Sequence, residues 1–142
     1  MSKILNIEEV INIQLDCQPE EKYFDGIKIE TEDEEIYFVI DNYQLCCENW
    51  GKYLYTSEDV KEYIDADYLG YDTGTSNAVM ECLKKKYIYY PSDVCFLNIH
   101  TSNGDIDYAV YNSHNGYYSH AVILSIKNKK TNETKKVIDN YL

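Results

Sequence analysis

Two Asn-Gly pairs, Asn103-Gly104 and Asn115-Gly116, are each flanked by segments in which apolar and polar residues alternate. Asn-Gly is the strongest two-residue hairpin signal, because a type I′ turn needs positive φ at both central positions. The pattern predicts a meander of three strands between Asp93 and Lys127. With two-residue loops, Ser102 faces Asp105 and His114 faces Tyr117. One face then collects Cys95, Leu97, Ile99, Ile106, Tyr108, Val110, Ala121 and Ile123, and reads as core. The other collects Phe96, Asn98, His100, Asp107, Ala109, Tyr111, Tyr118, His120, Val122 and Leu124.

In that register His100 lies opposite Asp107, and His120 opposite Tyr111, with His114 on the other side of the sheet. Asp107 and Tyr111 are four residues apart, roughly 13 Å at ~3.3 Å per residue. The two imidazoles therefore cannot share a metal whose nitrogen ligands sit ~2 Å away. No metal site is expected, and His100 with Asp107 reads as a cross-strand contact.

Upstream, "VINIQLDC" puts Ile11, Ile13, Leu15 and Cys17 on one face, the period of a half-buried strand. "GIKIET" and "EEIYFVID" read as two further strands, with the acid run from Glu32 to Glu35 as a solvated turn between them. In "TSEDVKEYI", Thr56 or Ser57 caps an expected short helix. "SNAVMECLKKK" gives a second, with Ala78, Val79, Cys82 and Leu83 on one face, lysines near its C-terminus, and Pro91 beyond. "ETKKVIDNYL" adds a short final element. The expected fold is α+β: a single domain over residues 1–142, mostly antiparallel sheet, with a C-terminal three-stranded meander and one or two short helices.

Composition removes several function classes. Hydrophobic content of 44% with 14% aromatics is too high for a disordered chain. A net charge of −12 repels nucleic acid and anionic membrane while favouring basic partners. No run approaches the ~20 apolar residues of a membrane span, and "MSKILNIEEV" is not a signal peptide. Five cysteines without CxxC spacing fit reduced thiols in a cytoplasm rather than zinc or a disulfide framework. There is no Gly-rich phosphate loop, GxSxG, HExxH or calcium loop, so no cofactor is expected. Cys46-Cys47-Glu48 is the residual catalytic candidate. A nucleophilic thiol needs a nearby base or cation, and no histidine is close in sequence; a packed turn is the plainer reading.

The most distinctive stretch is "YLYTSEDVKEYIDADYLGYD", from Tyr53 to Asp72. Its acids Glu58, Asp59, Glu62, Asp65, Asp67 and Asp72, interleaved with Tyr63, Tyr68 and Tyr71, resemble the charge density of a phosphate backbone beside aromatic anchors. A basic groove built for nucleic acid could accept such a surface.

"YQLCCENW" and "NGYYSH", about 70 residues apart in the order seen here, resemble the Cys-Cys-Glu turn and the Asn-Gly-Tyr-Tyr-Ser hairpin of a domain-of-unknown-function family found in bacteriophages and prophages. The similarity covers residues 5 to 127. It implies a phage or mobile-element origin and lends no catalytic residue. Small acidic phage proteins without enzyme motifs are often inhibitors of host defence, of anti-CRISPR or anti-restriction type.

The functional expectation is thus a non-enzymatic inhibitor in the host-cell cytoplasm. It binds a basic nuclease or defence effector through Glu58, Asp59, Glu62, Tyr63, Asp65, Asp67, Tyr68, Tyr71 and Asp72, with no direct nucleic-acid or membrane contact. The alternative is a small-ligand binder that sequesters a nucleotide immune signal on His100, Asp107, Tyr111, Tyr118 and His120, at a homo-oligomer interface or within one chain. Arginine, the usual phosphate ligand, is absent from the chain, which counts against that alternative.

Overall fold

A computed structural model of the protein describes residues 2–16, 18, 22–43, 49–113 and 119–142. The chain forms β1 (Ile4–Ile13), β2 (Phe24–Thr31), β3 (Glu34–Asp41), β4 (Trp50–Thr56), a 3-10 turn (Val60–Tyr63), β5 (Tyr68–Asp72), α1 (Asn77–Lys84), a second 3-10 turn (Pro91–Asp93), β6 (Val94–Thr101), β7 (Gly104–Asn112), β8 (Ala121–Asn128) and β9 (Thr134–Tyr141). Strand accounts for 57% and helix for 12%. The expected α+β class is therefore wrong: this is a small β-rich domain, with two antiparallel sheets and one α-helix among the described residues. The first sheet has the order β1-β2-β3-β8-β9, and the second β4-β7-β6-β5.

The sheets pack face to face over one interior. Ile27, Ile29, Ile36, Phe38, Ile40, Val122 and Leu124 of the first meet Leu97, Ile99, Ile106, Tyr108 and Val110 of the second. Phe38 and Tyr108 touch edge-on with ring centroids 6.1 Å apart. Each such side chain contributes about 1.5–3 kcal/mol on burial, which makes this interface the main source of stability. Two satellite clusters cover the outer faces. Leu15, Phe24, Val39, Ala121 and Ile123 form one. Val79, Met80 and Leu83 of α1 pack on Val94, Phe96, Ala109 and Tyr111 in the other. Helix α1 begins where the sequence predicts, with the Ser76 hydroxyl capping Val79 N–H at 3.3 Å. Its buried face is Val79, Met80 and Leu83, with Ala78 exposed.

The predicted meander is half right. Strands β6 and β7 form the hairpin, but Thr101 pairs with Gly104, so the loop is Ser102-Asn103 and His100 faces Asp105 rather than Asp107. The slip is two residues along the strand, so both faces keep their predicted members. Strand β8 does not join them. Strand β7 is already flanked by β4 and β6, while β8 inserts between β3 and β9 of the other sheet. Val122 and Leu124 consequently face the interior, and Ala121 with Ile123 the outer cluster, the reverse of the expectation. The second Asn-Gly pair lies outside the described residues.

Two upstream expectations also change. Strand β1 starts earlier than predicted and its alternation breaks at Asn12, where φ is 55. Ile11 is left exposed while Leu15 is buried beyond the strand. The segment after Ser57 forms only a 3-10 turn, capped by Asp59, whose side chain accepts from Lys61 N–H.

Candidate functional site

One end of the sandwich gathers the β2–β3 turn, the Ser57–Asp67 segment and the β6–β7 turn. Backbone bonds join the first two through the start of β1: Glu32 N–H donates to Lys3 O at 3.0 Å, Ile4 N–H to Ala66 O at 3.0 Å, and Asp65 N–H to Ile4 O at 2.8 Å. The third is tied by Ser102 N–H to Asp67 O at 3.0 Å and by Asn103 Nδ2 to Glu62 O at 2.9 Å. The result is a rigid end carrying Glu32, Asp33, Glu58, Asp59, Glu62, Asp65 and Asp67. Lys3 and the exposed Lys61 are set among them, and Lys3 is paired. Its Nζ lies 2.6 Å from Asp67 Oδ1, and its pKa is raised by that hydrogen bond and charge, with smaller contributions from Glu32 and Asp65.

The acids and tyrosines of the Tyr53–Asp72 stretch separate. Glu58, Asp59, Glu62 and Asp65 are exposed, whereas Tyr63 is fully buried and Tyr68 and Tyr71 pack against the interior cluster. A bulge between Tyr68 and Gly70 turns both half-buried rings inward and puts Asp72 on the outer face. Burial pushes the Tyr68 hydroxyl pKa well above its ordinary value, with Glu34 and Tyr71 adding to it. These rings are part of the fold; they do not stand beside the carboxylates as anchors.

On the outer face of the second sheet, cross-strand partners align in a row: Asp72 on β5, Asn98 on β6, Asp107 on β7 and Tyr55 on β4. Asn98 is 7% exposed, and its Nδ2 donates to Asp72 Oδ1 and Gly74 O, both at 2.8 Å. Beside this row His100 clamps two strands, Nε2 at 2.7 Å from Asp72 Oδ2 and Nδ1 at 3.0 Å from Asp105 Oδ1. These bonds, Asp105 first, raise the His100 pKa. The Asn98 amide, the Gly74 N–H and His100 lower that of Asp72. Asp107 moves the other way, raised by burial and by the charges of Asp105 and Asp72.

At the opposite end His120 is 1% exposed. Its Nδ1 lies 2.9 Å from Asp41 Oδ1 and 2.7 Å from Asp41 O, and its ring stacks on Trp50 at 5.0 Å. Burial pushes the Asp41 pKa up, but the His120 hydrogen bond and the Ala121 N–H together bring it below the usual carboxylate value. Next to this pair is a cavity of about 330 Å³ lined by Lys22, Tyr23, Asp41, Asn42, Tyr43 and Ser119.

The alternative ligand face predicted from sequence is thus divided. His100 and Asp107 share the outer face of the second sheet, Tyr111 is buried beneath α1, and His120 is at the end of the first sheet. Tyr118, Cys46 and Cys47 lie outside the described residues. Asn98, Tyr55 and Asp41 were not anticipated as site residues. The alternation in β6 places Asn98 beside His100, yet nothing local shows that it is buried. Among the described residues no group of three or more His, Cys, Asp or Glu could hold a metal, and no helix is long and apolar enough to cross a membrane.

The family model of a domain of unknown function, DUF7448, matches residues 3–124. The chain belongs to the DUF7448 family. The match runs from the edge of β1 into β8, so the DUF7448 domain takes in the acidic end and the Asp72–Tyr55 row. Neither a curated protein nor a solved structure matches the chain.

Proposed function

We propose that this DUF7448 protein is a phage-type inhibitor of a host defence system, acting by binding. Its acidic end occupies a basic nucleic-acid-binding surface of a nuclease or effector in the host cytoplasm. The observation that carries the reading is the convergence of three turns on one end. Exposed carboxylates of Glu32 on the β2–β3 turn and of Glu58, Asp59, Glu62 and Asp65 on the Ser57–Asp67 segment are brought to one end by main-chain bonds between those segments. Fixed like charges on a rigid frame cost little ordering when they meet a cationic cleft, and they speed the encounter. The buried tyrosines remove aromatic anchoring from this end, so electrostatics carries more of the recognition than the sequence suggested.

The test is a partner captured from bacterial lysate at low salt and then titrated against the wild type and against the triple variant Glu58→Gln, Glu62→Gln, Asp65→Asn. These three carboxylates make no ion pair among the described residues, so the fold should be unaffected. The reading expects affinity to fall steeply with salt and the triple variant to bind at least tenfold more weakly, ~1.4 kcal/mol. A complex indifferent to both refutes it.

A second reading, sequestration of a nucleotide signal, is favoured by the cavity beside Asp41, where Lys22 is the cation and Tyr23 and Tyr43 offer rings. Equilibrium dialysis against nucleotide second messengers tests it.

A further inference from the structure

The row Asp72–Asn98–Asp107–Tyr55 is the boundary of the surface that α1 covers. The adjacent row, Phe96–Ala109–Tyr53, packs under the helix. The boundary row itself is open on its β4 side, where Tyr55 is 38% exposed. Two acceptors in it lack donors. Asn98 Oδ1 is buried and has no hydrogen-bond partner. Its amide hydrogens are already committed to Asp72 and Gly74, which fixes the carbonyl on the other side of the amide. The neighbour across the sheet on the β7 side is Asp107, half-buried and also without a donor among the described residues. Cross-strand neighbours have Cβ atoms about 4.5–5.5 Å apart, so the two acceptors are carried by adjacent side chains.

A buried acceptor left unpaired costs about 1–3 kcal/mol, which a bound donor would recover. The pair therefore calls for a group that only donates. A metal ion is ill served, because the described residues offer no suitable ligand set. A guanidinium fits: it is planar, has five N–H donors and no acceptor, and stacks on aromatic rings, the part open to Tyr55. This chain cannot supply one, since all thirteen of its basic residues are lysine.

We propose that Asn98, Asp107 and Tyr55 form a receptor for the arginine side chain of a protein partner, the guanidinium donating to Asn98 Oδ1 and the Asp107 carboxylate with its plane against Tyr55. This rests on the reading of a basic partner and supplies the anchoring contact that the inward-turned tyrosines do not. The slot adjoins the acidic end through His100 and Asp105, so one basic surface could cover both.

The experiment uses the full chain, with N-acetyl-arginine methylamide and its lysine analogue as probes, followed by amide NMR. The arginine probe should saturate a shift of the Asn98 side-chain amide at millimolar concentration. The lysine analogue should bind several-fold more weakly, and Asp107→Asn should lose at least tenfold in affinity. Tyr55→Leu, on an exposed edge strand, should also weaken the arginine probe while keeping the wild-type spectrum elsewhere. An Asn98 amide that does not respond, or responds equally in Asp107→Asn, overturns the slot. Nona-arginine peptide separates the two readings. If it binds wild type and Asp107→Asn equally well and in a salt-dependent way, the slot is wrong and the acidic end stands. If it does not bind at all, both fail.

Discussion

Changing Asp41 to asparagine preserves shape, yet it should destabilise the fold as much as truncation to alanine. One carboxylate oxygen accepts from His120 Nδ1 at 2.9 Å, and the other accepts the Ala121 N–H. Both oxygens therefore face donors, and in either orientation the new amide NH₂ meets one of them. Hydrogen bonds to a charged group contribute about 1.5–3 kcal/mol each. Removing one member of a buried ion pair costs about 3–5 kcal/mol. Because His120 Nδ1 also reaches the Asp41 carbonyl at 2.7 Å, part of that interaction survives, and we expect ~3 kcal/mol for asparagine and alanine alike. For a domain this size the melting temperature should fall by about 6–12 °C. Urea unfolding followed by Trp50 fluorescence is the direct assay, since the only tryptophan stacks on His120. The pH dependence provides a second signature. The folded pKa of Asp41 lies below its unfolded value of about 3.9. Its contribution is therefore complete above that value and is lost as pH falls through the folded one. Asp41→Asn should flatten the acid limb of stability accordingly. A variant within ~0.5 kcal/mol of wild type, or with a superimposable acid limb, would show that the pair does not support the fold.

Gly26→Ala should destabilise by ~3 kcal/mol in the same urea assay, because a Cβ there would collide with the Phe38 carbonyl and lie 2.7 Å from Val39 Cα on the neighbouring strand. His100 has a raised folded pKa, so its contribution is full below the unfolded value of about 6.5 and is lost as pH rises through the folded one. Hydrogen exchange of the Gly70–Asp72 amides should therefore quicken with pH across that window beyond its intrinsic increase in wild type, and not in His100→Asn. Asp65 has φ 69, so Asp65→Asn should be neutral within ~0.5 kcal/mol while Asp65→Ala costs ~1 kcal/mol; calorimetric melting decides between them.

Local signals were legible in the sequence. The helix in "SNAVMECLKKK", the β2–β3 pair and the β6–β7 hairpin depend on residues close in the chain, and each is present, although the hairpin turns on Ser102-Asn103 rather than on Asn103-Gly104. The partner of β8 is a long-range matter. "AVILSI" is apolar on both faces because it is a central strand with the interior on one side and an outer cluster on the other. Without alternation its facing cannot be read, and Asn115-Gly116 suggested the wrong neighbour. The exposure of Glu58, Glu62 and Asp65 follows from charge alone. The inward turn of Tyr63, Tyr68 and Tyr71 does not, since it is set by a 3-10 turn and a bulge that the same letters allow but do not demand. Asn98 reads as one more outward polar residue until Gly74 and Asp72 close over it.

The use of lysine alone bears on how the acidic end keeps its charge. An ammonium is a compact point charge and engages one carboxylate at a time, whereas guanidinium forks would bridge and cover several. Lys3 takes Asp67 at 2.6 Å and Lys129 takes Glu30 at 2.6 Å, pairs that pin segments of the end in place. Glu58, Glu62 and Asp65 are left facing solvent. Such a surface is poorly neutralised from within and well prepared for arginines from without. The same reasoning makes lysine-to-arginine substitution at position 3 a poor imitation of conservatism, for a bidentate fork there could draw Glu32 and Asp67 together and quench the charge on which the proposed binding depends.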